Sequence, residues 1–168
     1  PPAPPYCWHT PPPAGLANLL PAQLSPSWYI SYSQLPFAPG RPGSRTVPLL
    51  WRRWSPGYDA AADLRHVDTA IGAPDRWRAA LGPYRATIRN YRPPARYAAL
   101  HRCWTQPPRV PTLYLHGARD GCMTAGFTPY VRYVLPTGSE AAVVDDAGHF
   151  LHLERPEEVA GRIVGFLA

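Results

Sequence analysis

Proline constrains this chain before anything else does: 24 of its 168 residues are proline, and fourteen of these fall in residues 1–56. Each proline lacks a backbone donor and fixes φ, so it suits a helix start, a turn or a sheet edge but not a central strand. Residues 1–14, with Pro1-Pro2, Pro4-Pro5 and Pro11–Pro13, are therefore expected to form an irregular leader. From Leu16 to Ser33 the chain allows short helical turns with Pro21 and Pro26 as boundaries, and residues 36–48 read as a loop. Regular elements are to be sought further on, where prolines are sparser.

Two helices are expected next. One covers Asp59 to Ala70 with Asp59 as N-cap; the other covers Asp75 to Asn90, opened by Pro74 with an acid in its first turn. The second aligns Trp77, Leu81, Tyr84 and Ile88 in one stripe, and Gly82-Pro83 should break or kink it beside Tyr84. After Pro111 the pattern changes. Thr112–His116 and Ala141–Val144 are short apolar strands, Phe127–Leu135 has a helical pattern, and Pro156 opens a helix to Leu167 with Glu157 and Glu158 at its positive dipole end. Strand, helix, strand, helix at this spacing is a parallel α/β unit. Two parallel strands do not make a sheet core, so neighbouring strands are expected from outside this sequence.

The net charge of +6 comes from 17 arginines and no lysine. They are spread as Arg52-Arg53, Arg76/Arg78, Arg85/Arg89/Arg92 and Arg96/Arg102, not gathered into a patch with aromatic partners. That spread suits solvated helix faces, and no nucleic-acid partner is expected. At 45% hydrophobic and 12% aromatic the chain is too apolar for wholesale disorder. It has no apolar run of the ~18 residues that a membrane span needs. PPAPPYCWHT lacks the basic and apolar segments of a signal peptide. Cys7, Cys103 and Cys122 form neither a disulfide framework nor a CxxC metal pair, so a reducing, cytoplasmic setting is expected, with no metal.

In open α/β sheets functional residues gather on loops beyond the carboxyl ends of strands. Asp120 in HGARDGC and His149 in DDAGHF hold that position. Singly, Asp120 reads as a turn former before Gly121 and His149 as a loop histidine. Together, acid then histidine on successive loops, they match an acid that orients a general base, the second half of a nucleophile–His–acid relay.

PTLYLHGARD followed by AVVDDAGHFLHLERPEEVAGRIVGFL resembles the C-terminal end of the α/β-hydrolase fold. SWYISYSQLP and LGPYRATIRN resemble cap-domain segments of the epoxide hydrolases of that fold. The resemblance implies a partial α/β-hydrolase fold: a mostly helical cap over residues 15–108, then the last two parallel strands and helices of the sheet over 109–168. It implies a cap tyrosine at Tyr29, with Tyr32 as competitor, a second at Tyr84, the acid at Asp120 and the base at His149. The substrate class would be a small apolar epoxide, opened to a vicinal diol through a covalent ester without cofactor. The Trp28, Trp51, Trp54 and Phe37 group reads as cap packing and pocket wall, with plain core packing the favoured account.

The family's nucleophilic aspartate sits upstream of the cap in a HDWG-like turn, and neither that segment nor a GxSxG elbow occurs here. The chain is thus expected to correspond to the second half of such a domain, inactive alone and completed by an N-terminal half. A haloalkane dehalogenase or serine esterase part of the same fold, or a non-catalytic truncated protein or binding module, are the alternatives.

Overall fold

The computed structural model of the protein describes residues 15–35, 45–89, 94–103 and 106–168. The proline-rich leader with Cys7, residues 36–44 with Phe37, and Asn90 lie outside them. α1 (Leu16–Leu24) and α2 (Trp28–Tyr32) are the expected short helices. Pro21 is not a boundary, however, but sits inside α1, which gives up one backbone hydrogen bond to keep it. The expected loop to residue 48 also ends early. α3 (Thr46–Trp54) takes Pro48 into its first turn, where the missing N–H has no helical partner to lose.

α4 (Ala61–Ile71) begins two residues after Asp59, whose Oδ1 accepts from the Ala61 N–H at 3.1 Å while Ala60 takes the N-cap position. The next pattern divides as the Gly82-Pro83 pair requires, into α5 (Pro74–Ala80) and α6 (Gly82–Ile88). Trp77 and Leu81 are buried, but Ile88 at the end of the stripe is exposed. α7 (Ala98–Cys103) closes this helical part.

β1 (Leu113–Gly117) and β2 (Glu140–Val144) pair in parallel, Leu113 opposite Glu140 and Gly117 opposite Val144. They are the strands of the sheet among the described residues. The crossover holds a 3-10 turn over Ala125–Phe127 and a one-turn α8 (Thr128–Val131), where the pattern suggests a helix over Phe127–Leu135. Beyond it the Val131 carbonyl accepts from both Val134 and Leu135, a turn that tightens before Pro136 instead of a continuing helix. α9 (Leu151–Glu154) leads into α10 (Pro156–Leu167), which has the expected bounds. Val144, Ala147, Val159 and Cys122 are buried at and around the carboxyl end of the strands.

Two arginines assigned to solvated faces have a structural task. Arg85 Nε donates to the Ser33 carbonyl at 3.0 Å and Arg89 to that of Gln34 at 3.0 Å, so α6 caps the carbonyl end of α2. Among the described residues no helix is long and apolar enough to cross a membrane. The molecule is thus a helix-rich chain ending in a partial parallel α/β unit.

Candidate active site

The strands end at the same level, and the loop after each carries one of the two expected residues. His149 Nδ1 lies 2.9 Å from Asp120 Oδ2. An ionised carboxylate only accepts, so Nδ1 carries a proton; in the neutral ring the Nε2 lone pair is then the free one. The other carboxylate oxygen is fixed by the loop itself: Asp120 Oδ1 accepts from the backbone N–H of Cys122 at 2.7 Å and of Met123 at 3.0 Å. Asp120 is 6% exposed and His149 34%, so the acid is enclosed while the base meets solvent. Burial raises the Asp120 pKa, but the hydrogen bonds from His149, Met123 and Cys122 outweigh it and hold the carboxyl below its ordinary value.

Both loops hang from one carbonyl of the helical part. The Trp54 C=O at the end of α3 accepts from Gly121 N–H at 3.1 Å and from His149 N–H at 2.9 Å. Ser55, almost wholly buried, adds its Oγ as acceptor for Phe150 N–H at 3.1 Å. Such an approach demands glycine. A Cβ on Gly148 would lie 2.6 Å from both Ser55 Cα and the Trp54 oxygen, and one on Gly121 would collide with the Arg53 carbonyl. The Trp54 ring then stands edge-on to His149, with centroids 5.0 Å apart.

The expected tyrosines converge from two helices. Tyr29 of α2 and Tyr84 of α6 meet edge-to-face at 5.5 Å, and Tyr29 also packs on Trp54 at 5.1 Å. Tyr32 instead pairs with Trp28 at 5.4 Å. Gln34 sets this arrangement, since its side-chain amide donates to the Tyr84 carbonyl at 2.9 Å and to the Ile30 carbonyl at 3.1 Å. Burial pushes both phenols up; at Tyr29 the hydrogen-bond contact with Cys122 adds to the shift, and at Tyr84 the neighbouring Cys122 side chain does. Both therefore stay protonated donors at any physiological pH. Tyr29, Tyr84, Trp51, Trp54, Leu50 and Leu81 are among the walls of a cavity of about 210 Å³. Trp51 and Trp54 line this cavity, whereas Trp28 does not and packs against Tyr32 and Arg53; Phe37 lies outside the described residues.

Three participants carried no signal in the sequence. Gln23 of α1 donates to the Cys122 carbonyl at 2.6 Å and accepts from Thr124 N–H at 3.1 Å, clamping the acid loop. His116, buried at the end of β1, has Nε2 2.9 Å from the Met123 carbonyl and Nδ1 2.7 Å from the Tyr114 hydroxyl. The carbonyl can only accept, so the neutral ring of His116 carries its proton on Nε2, and its Nδ1 accepts a hydrogen bond from the Tyr114 hydroxyl. Cys122, also buried, has its Sγ 3.5 Å from the Tyr29 hydroxyl.

No family model matches this sequence, and no curated protein matches it either. Among solved structures the chain is similar to that of a "putative epoxide hydrolase" from Klebsiella pneumoniae subsp. pneumoniae, with TM-score 0.70 and 23% identity over 87% of this chain. At that identity the likeness carries the fold. The chain spans 50% of that protein's length.

Proposed function

We propose that this chain supplies the cap, the acid and the histidine of an epoxide-hydrolase-like α/β hydrolase, with Asp120, His149, Tyr29 and Tyr84 as its working residues. The observation that carries the reading is the 2.9 Å Asp120–His149 pair, with Trp54 packed against both His149 and Tyr29, and Tyr29 against Tyr84, two half-buried phenols. A carboxylate outside this sequence attacks an epoxide carbon; the C–O ring bond breaks and its electron pair goes to the ring oxygen. The Tyr29 and Tyr84 hydroxyls hydrogen-bond that oxygen as its charge grows, and one of them gives its proton to complete the alcohol. His149 Nε2 then takes a proton from water, whose oxygen attacks the ester carbonyl; the ester C–O bond breaks, His149 returns its proton to the departing diol oxygen, and the acid so formed gives up its proton to restore the tyrosine, leaving carboxylate and diol. Asp120 holds the imidazole and stabilises its charged form. The apolar walls suit a small apolar epoxide, and the likeness to the Klebsiella protein supports the substrate class.

Without a nucleophile this chain has little or no turnover, so styrene oxide binding is measurable at equilibrium. Isothermal titration should show saturable binding, weakened by ~0.5–1.5 kcal/mol in each of Tyr29→Phe and Tyr84→Phe. Binding indifferent to both variants would sink the phenol assignment. Turnover by the isolated chain that disappears in His149→Ala would overturn the need for an outside nucleophile.

A further inference from the structure

The spacing of the cysteines along the chain yields no metal pair, yet the fold assembles a mixed set of donors. Asp120, Cys122 and His149 each present one ligand atom, and the three atoms lie within 4.8 Å of one another. We propose that this trio is a binding site for a borderline-soft divalent cation, zinc by preference, which occupies it in competition with the proton relay.

The donor types choose the ion. Thiolate and imidazole favour zinc and its neighbours, while calcium and magnesium require shells of oxygen. Bonds of about 2.0–2.3 Å put neighbouring ligand atoms of tetrahedral zinc roughly 3.3–3.6 Å apart. No separation in the trio exceeds 4.8 Å, so closing on the ion needs a shift of at most about 1–1.5 Å; the Asp120–His149 pair is already at 2.9 Å, and the His149 side chain is 34% exposed. The surroundings already orient the ligands. Asp120 Oδ1 is fixed by the Cys122 and Met123 N–H groups, and the Tyr29 hydroxyl, 3.5 Å from Sγ, is placed to donate to the thiolate. Three protein ligands leave a fourth position for water. On binding, the Cys122 S–H proton passes to solvent and His149 ligates as the neutral ring; no electron moves. An ion so held engages both His149 and Asp120, so ion binding and proton relay exclude one another.

Cobalt(II) reports such a site directly. Added to Cys7→Ser/Cys103→Ser protein, it should give a thiolate-to-cobalt charge-transfer band that zinc removes and that Cys122→Ser abolishes. Zinc affinity, from competition with a chelator, should fall at least about tenfold in His149→Ala. In the unsubstituted protein zinc should shield Cys122 from N-ethylmaleimide, mapped by mass spectrometry, a measurement that needs no variant to fold. The site is disproved by the absence of the band, by a band surviving Cys122→Ser, by zinc affinity unchanged in His149→Ala, or by Cys122 alkylated equally with and without zinc. None of these measurements reads turnover or epoxide binding, so their failure leaves the hydrolase reading standing, and its failure leaves the metal site standing.

Discussion

Asp120 shows how single groups here balance opposed forces. Burial would raise its pKa, but three hydrogen bonds hold it below the ordinary 3.8. A carboxylate depressed in the folded state adds stability at pH above its unfolded value, and this is lost as pH falls through the folded value. Asp120→Asn should therefore lower the urea midpoint near neutral pH, with the gap to the unsubstituted protein narrowing below pH 3.8. A gap independent of pH would show that the carboxylate's charge is not what its partners stabilise. Cys122 responds in the other direction. Burial pushes the thiol up from 9.0, Asp120 adds to that, and the Tyr29 hydroxyl pulls it down. In a Cys7→Ser/Cys103→Ser background, Tyr29→Phe should move the midpoint of the Cys122 alkylation–pH profile upward; an unmoved midpoint would mean that the 3.5 Å contact does not stabilise the thiolate.

Between elements, the decisive contact is the end of α3 against the two strand loops. Gly148→Ala puts a methyl 2.6 Å from the Trp54 oxygen and should cost ~1–3 kcal/mol in denaturant unfolding, because backbone must move. Gly161→Ala, in the exposed interior of α10 with nothing within 4 Å of the added carbon, should instead stabilise by ~0.5–1 kcal/mol. Equal effects of the two would overturn the close-approach account. The elements themselves were largely legible: both strands, α10 and the break before Tyr84 follow from local apolar runs and from proline and glycine. Pro21 inside α1 and Pro48 inside α3 were not, since proline limits a helix without forbidding it. The clamps by Gln23 and Gln34 were illegible for another reason: the groups they join are far apart in the chain.

Across the whole molecule, few apolar side chains are buried among the described residues, while Leu24, Val110, Tyr133, Val164 and Leu167 are each more than half exposed. Val143 on β2 is 37% exposed, although parallel strands are ordinarily covered on both faces. Such a surface should bind the dye ANS and unfold broadly in urea. A sharp transition without dye enhancement would show a self-sufficient core.

Local chemistry alone determined the order of events along this chain: helices first, then two short strands, each followed by a loop carrying an acid or a histidine. Apolar runs and turn residues act over a few positions, so a linear reading captures them. Only the tertiary structure decided that those loops share the Trp54 carbonyl, that Tyr29 and not Tyr32 meets Tyr84, and that Cys122 joins Asp120 and His149. Apart from Asp120 and Cys122, which are neighbours in one loop, these are contacts of a few ångströms between residues 27 to 95 positions apart, and neither propensity nor spacing encodes them; packing does.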